Sequence, residues 1–279
     1  MRPDPGLSEP RMRPQALLLT FFGAHVLGRD DAVYSGSLID VAARAGVGEH
    51  ATRSTLSRMV ARGLLVPHRL GRRTYYTVSD EATTILTEAS HRVWDEGVVN
   101  GDWDGSWTLF GFSLPESRRG DRHLLRSRLA WAGFGMLQHG LWISPNVVDP
   151  DELFADLGLI DDVKAFSSRP LASTDVDAMI AAAWDLERLA AEYRRFLSRW
   201  DVPEPQSSAP DDLARQLLLL SEWLLLVRED PRLPVQHLPT DWPGHRAQEV
   251  ARTLRDTYEH PAEEIVDSVV ERAERPSAH

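Results

Sequence analysis

Residues 49–78, EHATRSTLSRMVARGLLVPHRLGRRTYYTV, decide the fold of the first part of this chain. The apolar positions first recur at the spacing of a helix, because Thr52, Leu56 and Met59 share one face of a helical wheel. A glycine ends this pattern, and two short apolar runs then flank a turn of basic residues, which predicts a β-hairpin. The stretch therefore predicts a helix that is followed directly by a hairpin.

Two shorter helical patterns precede this stretch. Residues 14–27 open on a proline and carry a stripe of leucine and phenylalanine, and residues 37–42 form a second apolar cluster. Gly46 and Gly48 then predict a tight turn. The order helix, helix, turn, helix and hairpin is that of a winged helix-turn-helix, which we assign to residues 14–94.

The charge of the chain is distributed unevenly. The net charge is −11, yet residues 51–73 contain six arginines and no acidic residue. A solvated helix face is the plain alternative, but a basic patch on a helix and an adjacent hairpin favours a docking face for DNA. We expect Arg58, Ser54 and Ser57 to reach base edges and the flanking arginines to bind phosphate. The predicted DNA-binding residues are His50, Arg53, Ser54, Ser57, Arg58, Arg62, Arg69, Arg72 and Arg73.

The middle of the chain predicts a second α+β segment. From residue 107 onward, strand and helix patterns follow in the order β-α-β-β-α-β, which is typical of a ferredoxin-like fold. Its first helix is basic. Three binding roles are open for this helix, namely contact with the DNA flanks, with the acidic C-terminal part or with an effector phosphate. The plain alternative is a solvated helix face. The arginines of this helix are Arg118, Arg119, Arg122, Arg126 and Arg128.

From residue 175 onward the chain reads as helical. Four prolines between residues 231 and 243 predict a connector to two last helices, at residues 244–259 and 261–275. Residues 201–279 contain 16 acidic residues and 8 arginines. Because this end should repel phosphate, we expect it to lie away from DNA.

Several short motifs, in their shared order, resemble those of the PaaX family of bacterial repressors. The similarity spans almost the whole chain. The motifs are RPQ at residues 13–15, SLI at 37–39, RSTLSRM at 53–59, GRRTYY at 71–76, WDGSW at 103–107, DPRLP at 230–234 and LPTDWPG at 238–244.

The resemblance implies three parts and a regulatory role. The parts are a winged helix, a middle domain that resembles a CRISPR-associated endonuclease fold, and a helical C-terminal domain. With residues 1–13 taken as a disordered arm, the predicted domains are 14–94, 95–172 and 173–279, the last for effector binding or dimerisation. The resemblance also implies a homodimer that represses catabolic genes from an inverted-repeat operator. Founding members release DNA on binding phenylacetyl-coenzyme A, so an acyl- or aryl-coenzyme A is the implied effector.

Six residues of the middle and C-terminal parts are candidates for an effector pocket. Three tryptophans and a histidine in the C-terminal part are candidates for its apolar lining, although tryptophans at helical spacing are more often plain core. Two arginines of the middle domain are candidates for the effector phosphates. The set is Trp184, Trp223, His237, Trp242, Arg122 and Arg126.

The sequence lacks the motifs of several other functions. The chain has no cysteine, no P-loop and no dinucleotide fingerprint, and we predict a cytoplasmic protein with no cofactor, no metal and no enzymatic activity. One alternative is a metal-dependent nuclease in the middle domain, but the first strand there is followed by Ser113, Leu114 and Pro115 instead of an aspartate. A transcriptional activator with the same DNA-binding parts is the other alternative.

Overall fold

The computed structural model describes residues 13–274, and it has the α+β fold expected from the sequence. The predicted disordered arm lies almost entirely outside the described residues. The main elements are α1 (Pro14–His25), β1 (Asp31–Tyr34), α2 (Ser35–Arg44), α3 (Glu49–Ala61), β2 (Leu65–Leu70), β3 (Arg73–Val78), α4 (Asp80–Ser90), β4 (Trp107–Phe112), α5 (Arg119–Trp131), β5 (Gly135–Gln138), β6 (Leu141–Ser144), α6 (Pro150–Phe154), β7 (Val163–Ser168), α7 (Val176–Ala183), α8 (Leu186–Trp200), α9 (Asp212–Glu229), α10 (Pro243–Val269) and β8 (Arg272–Glu274).

The described chain folds into two compact units that do not follow the sequence in three consecutive blocks. The first unit combines residues 13–95 with residues 199–224 and 249–274, and the second combines residues 96–198 with residues 225–248. The predicted domains are three consecutive segments of the chain, whereas each compact unit combines segments that are distant in sequence. The division into three domains therefore stays a prediction.

The sheet of the first unit has the strand order β2-β3-β1-β8. Strands β2 and β3 form the predicted hairpin, and β1 pairs with β3 on one side and with β8 on the other. Every pairing is antiparallel. The last described strand therefore completes the sheet of the winged helix-turn-helix from the opposite end of the chain.

The core of the first unit also joins distant segments. Phe21 and Phe22 of α1 are fully buried together with Leu56 of α3, and Leu217 of α9 and Val266 of α10 belong to the same cluster. Burial of a phenylalanine or leucine side chain stabilises a fold by about 1.5–3 kcal/mol. The C-terminal helices are therefore part of the core against which α1 and α3 pack.

The prediction of two separate last helices is wrong. Helix α10 continues through Pro261 to Val269, and Arg272–Glu274 form strand β8 where the second helix was predicted. An internal proline costs a helix about 3 kcal/mol. Ala262 and Val266, which follow it, are buried in the core, and this burial offsets the cost.

The second unit contains the predicted ferredoxin-like arrangement. Its sheet has the antiparallel order β5-β6-β4-β7, with Phe110 of β4 stacked on Phe134 at a centroid distance of 4.8 Å. Gly135 opens β5 where a Cβ atom would lie 2.6 Å from the ring of Trp184. Only glycine fits at this close approach of β5 to the end of α7.

Among residues 13–274, no helix is both long enough and apolar enough to cross a membrane.

Candidate nucleic-acid interface

Helix α3 separates a buried face from a polar face. Thr52, Leu56 and Met59 are buried, and the Thr52 hydroxyl donates a hydrogen bond to the carbonyl of Gly48 at 3.2 Å, which anchors the first turn. The side chains on the other side are exposed, apart from a half-buried Ser54. This outer face carries His50, Arg53, Ser54, Ser57, Arg58 and Arg62, the predicted DNA-binding residues of the helix.

Arg58 is held along the surface of α3 by its own helix. Its guanidinium donates hydrogen bonds to Ser54 Oγ at 2.6 Å and to Thr55 Oγ1 at 2.8 Å. Both acceptors are neutral, so the positive charge of Arg58 is not cancelled by these contacts. A guanidinium has five N–H donors, which leaves donors available for a ligand.

The other two arginines of this face have different partners. Arg53 donates to the carboxylate of Glu49 at 2.8 Å, one turn earlier in the helix. Arg62 donates to the amide oxygen of Gln15 at 3.3 Å. The positive charge of Arg53 is therefore balanced by the carboxylate of Glu49, whereas the partner of Arg62 is neutral.

The hairpin of β2 and β3 presents two more arginines at its tip. Leu70 pairs with Arg73, so the turn consists of Gly71 and Arg72 alone, and Gly71 has a φ of +62°. Two-residue hairpin turns require positive φ at the first position, which favours glycine there. Arg69 and Arg72 are exposed, and neither has a hydrogen-bond or ion-pair partner within residues 13–274.

Arg73 lies in a different environment from its neighbours. It donates two hydrogen bonds to the carboxylate of Glu271, at 2.5 and 2.6 Å, and its guanidinium lies 5.1 Å from the ring centroid of Tyr34. The hydroxyl of Tyr75 donates to the same carboxylate at 2.6 Å. These bonds, from Tyr75 first and then from Arg73, lower the pKa of Glu271 below its ordinary value.

Glu271 is a functional neighbour that the sequence reasoning missed. We expected the acidic C-terminal part to lie away from DNA, but Glu271 of that part contacts Tyr75 and the predicted DNA-binding residue Arg73. Its position follows from the neighbouring Arg272, which pairs with Val33 in the sheet and donates to Asp31 at 2.8 Å. No local sequence signal could have revealed the contact, because it joins residues 198 positions apart.

Two arginines at the start of the predicted basic helix, Arg118 just before α5 and Arg122 within it, are engaged in the second unit. Arg118 donates to Asp121 at 2.7 Å and to Asp162 at 2.8 Å, and Arg122 donates to Glu116 at 3.0 Å. The predicted second basic cluster is thus balanced in part by its own carboxylates. This reduces the positive charge that it offers to DNA.

The six predicted effector residues are dispersed. Trp184 packs in an aromatic cluster with Trp107, at a centroid distance of 6.3 Å, and His237 meets the same cluster through Trp103 at 5.6 Å. Trp242 packs against Tyr193 at 6.0 Å. The remaining members are Trp223, which is buried in the first unit, and Arg122 and Arg126, which lie on α5 of the second unit. Their role in effector binding stays a prediction.

The aspartates that would serve the nuclease alternative are Asp149, Asp151, Asp161 and Asp162, and the carboxylates of Asp149 and Asp162 have structural partners. The carboxylate of Asp149 accepts a hydrogen bond from the backbone N–H of Asp151 at 2.9 Å and caps α6, and Asp162 pairs with Arg118. Among residues 13–274, with the side chains at positions 152 and 156 left aside, no three histidine or acidic side chains group as metal ligands would.

Comparison with known proteins adds three family-level matches. The matched models describe a PaaX-like protein over residues 13–82, the central Cas2-like domain of PaaX proteins over residues 100–180, and the C-terminal domain of PaaX-like proteins over residues 184–268. The transcriptional repressor PaaX of Escherichia coli (strain K12) is 29% identical over 272 residues, which cover 93% of this chain and 84% of that protein. The structure of an uncharacterized protein from Mycobacterium tuberculosis superposes with a TM-score of 0.59 at 22% identity, covering 91% of this chain and 98% of that one, and shows the shared fold alone.

Proposed function

This chain belongs to the PaaX family of transcriptional regulators, and from that premise we propose that it is a DNA-binding repressor of catabolic genes. One observation carries the proposal. The outer face of α3 and the tip of the hairpin present Arg58, Arg69 and Arg72 without an acidic partner among the described residues, on a chain whose net charge is −11. A positive surface confined in this way suits a polyanion better than it suits general solubility.

We assign separate roles to the helix and the hairpin. Helix α3 enters the major groove, where Arg58, Ser54 and Ser57 contact base edges. Arg69 and Arg72 at the hairpin tip contact phosphate, and Arg62 at the end of α3 does the same. Arg53 and Arg73 contribute less than their position suggests, since each already binds a carboxylate.

The protein acts as a homodimer on an inverted-repeat operator. In such an arrangement two α3 helices lie about one helical turn of DNA, roughly 34–36 Å, apart on one side of the duplex. Sedimentation equilibrium should therefore give about twice the monomer mass of 31.4 kDa. A monomer at all concentrations would contradict this part of the proposal.

A small-molecule effector releases the protein from DNA, and an acyl- or aryl-coenzyme A is the class that the family suggests. We expect phenylacetyl-coenzyme A or a related thioester to dissociate a preformed protein–operator complex. Free phenylacetate at the same concentration serves as the control. If no thioester releases the complex, this effector class is wrong and the DNA-binding proposal is unaffected.

A footprint tests the central proposal. Promoter fragments from the genes that flank the coding sequence are incubated with the full chain and cleaved by a nuclease at low salt. We expect one protected inverted repeat whose half-sites are about 10 base pairs apart from centre to centre. A uniform pattern, with no fragment protected above random DNA, would contradict the proposal.

A further inference from the structure

A cavity of about 420 Å³ lies within the first compact unit, among helices α1, α4, α9 and α10. None of the six predicted effector residues is among the described residues that line it. Small-molecule sites usually have volumes of about 300–1,000 Å³. Since a cavity of about 150 Å³ holds benzene, this cavity has room for roughly 15 non-hydrogen atoms.

The floor of the cavity is polar but uncharged. His25 and Gln216 are both buried, and His25 Nε2 and Gln216 Oε1 lie 2.8 Å apart in a hydrogen bond. Burial lowers the pKa of His25, so the imidazole is neutral at neutral pH. A ligand that reaches the floor therefore meets hydrogen-bonding groups without a net charge.

The walls of the cavity combine apolar and polar side chains. Leu19, Leu86 and Leu224 are among the apolar residues of the lining, and Trp94 contributes an aromatic ring. The guanidinium of Arg255 lies 4.5 Å from the centroid of this ring. Apolar and aromatic side chains beside a small number of polar groups are the usual lining of a small-molecule site.

The rim of the cavity has no excess of positive charge. Of the three charged residues in the lining, Arg255 donates to the carboxylate of Asp256 at 2.9 Å, and Glu263 pairs with Arg29 at 2.6 Å. Glu259, the third charged residue of the lining, adds a negative charge. A phosphorylated or otherwise multiply anionic ligand would therefore lose its hydration here without gaining a compensating cation.

From these observations we infer that the cavity is a binding site for a small uncharged aromatic molecule with one hydrogen-bonding group, which contacts His25 and Gln216. The inference concerns ligand binding alone. It depends neither on DNA binding nor on the thioester effector of the proposed function. It also excludes the nucleotide part of a coenzyme A thioester from this cavity.

Calorimetric titration of the full-length protein with 1-naphthol tests the inference. This bicyclic alcohol is uncharged, fits the available volume and has one hydroxyl for the floor. The matched probe is 1-naphthyl phosphate, which has the same ring system and a dianionic group. We expect binding of 1-naphthol at one site per chain, and at least about tenfold weaker binding of the phosphate.

A cavity-filling variant tests the location. A Cβ atom at Gly23 would lie 3.7 Å from Leu86 Cδ2, an ordinary contact, so the side chain of Gly23→Leu extends into the cavity. Removing a glycine from a helix interior does not disfavour the helix, and a thermal unfolding curve verifies the fold. The matched control is Ala43→Leu, which adds a side chain at an exposed position of α2.

The expected outcome is that Gly23→Leu weakens 1-naphthol binding by about tenfold or more, while Ala43→Leu changes it less than about twofold. Equal affinity of wild type and a folded Gly23→Leu protein would overturn the inference. So would the absence of naphthol binding to wild type, or phosphate binding as tight as naphthol binding.

Discussion

Replacing Glu271 by glutamine is expected to strengthen DNA binding and to steepen its dependence on salt. In the wild type the carboxylate accepts two hydrogen bonds from Arg73 and one from Tyr75. A glutamine keeps the shape and an oxygen for Tyr75 but has no negative charge. Arg73 is then available to bind a phosphate in each half-site.

The magnitude follows from the number of phosphates neutralised. With Arg62, Arg69 and Arg72 on each half-site, a dimer neutralises six phosphates, and the slope of log K against log salt is about −5. Addition of Arg73 gives eight phosphates and a slope of about −7. Between 200 and 50 mM salt, the variant should therefore gain about twelvefold more affinity than the wild type gains.

Fluorescence anisotropy with a labelled operator, measured at four or five salt concentrations, provides both slopes. The control variant is Glu264→Gln, which makes the same change in net charge on the exposed side of α10, where Glu264 pairs with His260. We expect its slope to equal that of the wild type. If Glu271→Gln and wild type have the same slope, the carboxylate does not withhold Arg73 from phosphate, and this reasoning is refuted.

Three further outcomes are expected. Arg58→Ala should reduce the preference for operator over random DNA by about 1–3 kcal/mol, whereas Arg72→Ala should weaken binding to operator and to random DNA alike. Competition binding with random DNA distinguishes these two effects. Uniform loss of binding in both variants would refute the division of roles. The pKa of His25 is lowered in the folded state, so the unfolded chain takes up a proton near the ordinary pKa of 6.5 while the folded state resists protonation. The melting temperature should therefore fall as the pH drops from 7.5 to 5.5. The fall should be smaller for His25→Gln. An equal fall in both proteins would show that another group is responsible. Tyr193→Phe removes the hydroxyl that bonds the buried Asp230 and should lower the free energy of unfolding by about 1–3 kcal/mol in a urea titration; no change would show that the bond contributes nothing net.

Local patterns in the sequence were sufficient to predict the helices and the hairpin of the winged helix-turn-helix, and the succession of strands and helices in the middle domain. Strand β1 was not predicted. The spacing of Thr52, Leu56 and Met59 has one physical solution, a helix with that face buried. The glycine of the hairpin turn likewise marks the two strands around it. Fold class and the candidate DNA-binding residues thus depend on interactions that are short in sequence.

The features that sequence reasoning missed join distant segments. Strand β8 has three residues and is specified by pairing with β1, some 240 positions earlier, so its own sequence carries no clear strand signal. The contact of Glu271 with Arg73 and Tyr75 of β3 depends on that pairing. The cavity is lined by four helices, and no motif connects His25 with Gln216. Such sites need the tertiary structure, because their chemistry arises only when the segments meet.

The most direct test of the account compares operator binding by the wild type with binding by a triple variant, Arg58→Ala, Arg69→Ala and Arg72→Ala, at 50 mM salt. We expect the wild type to bind its own promoter fragment, and the folded triple variant to lose both affinity and most of the salt dependence. Binding of equal strength by the two proteins, or no binding by the wild type to any fragment of its genome, would contradict the account.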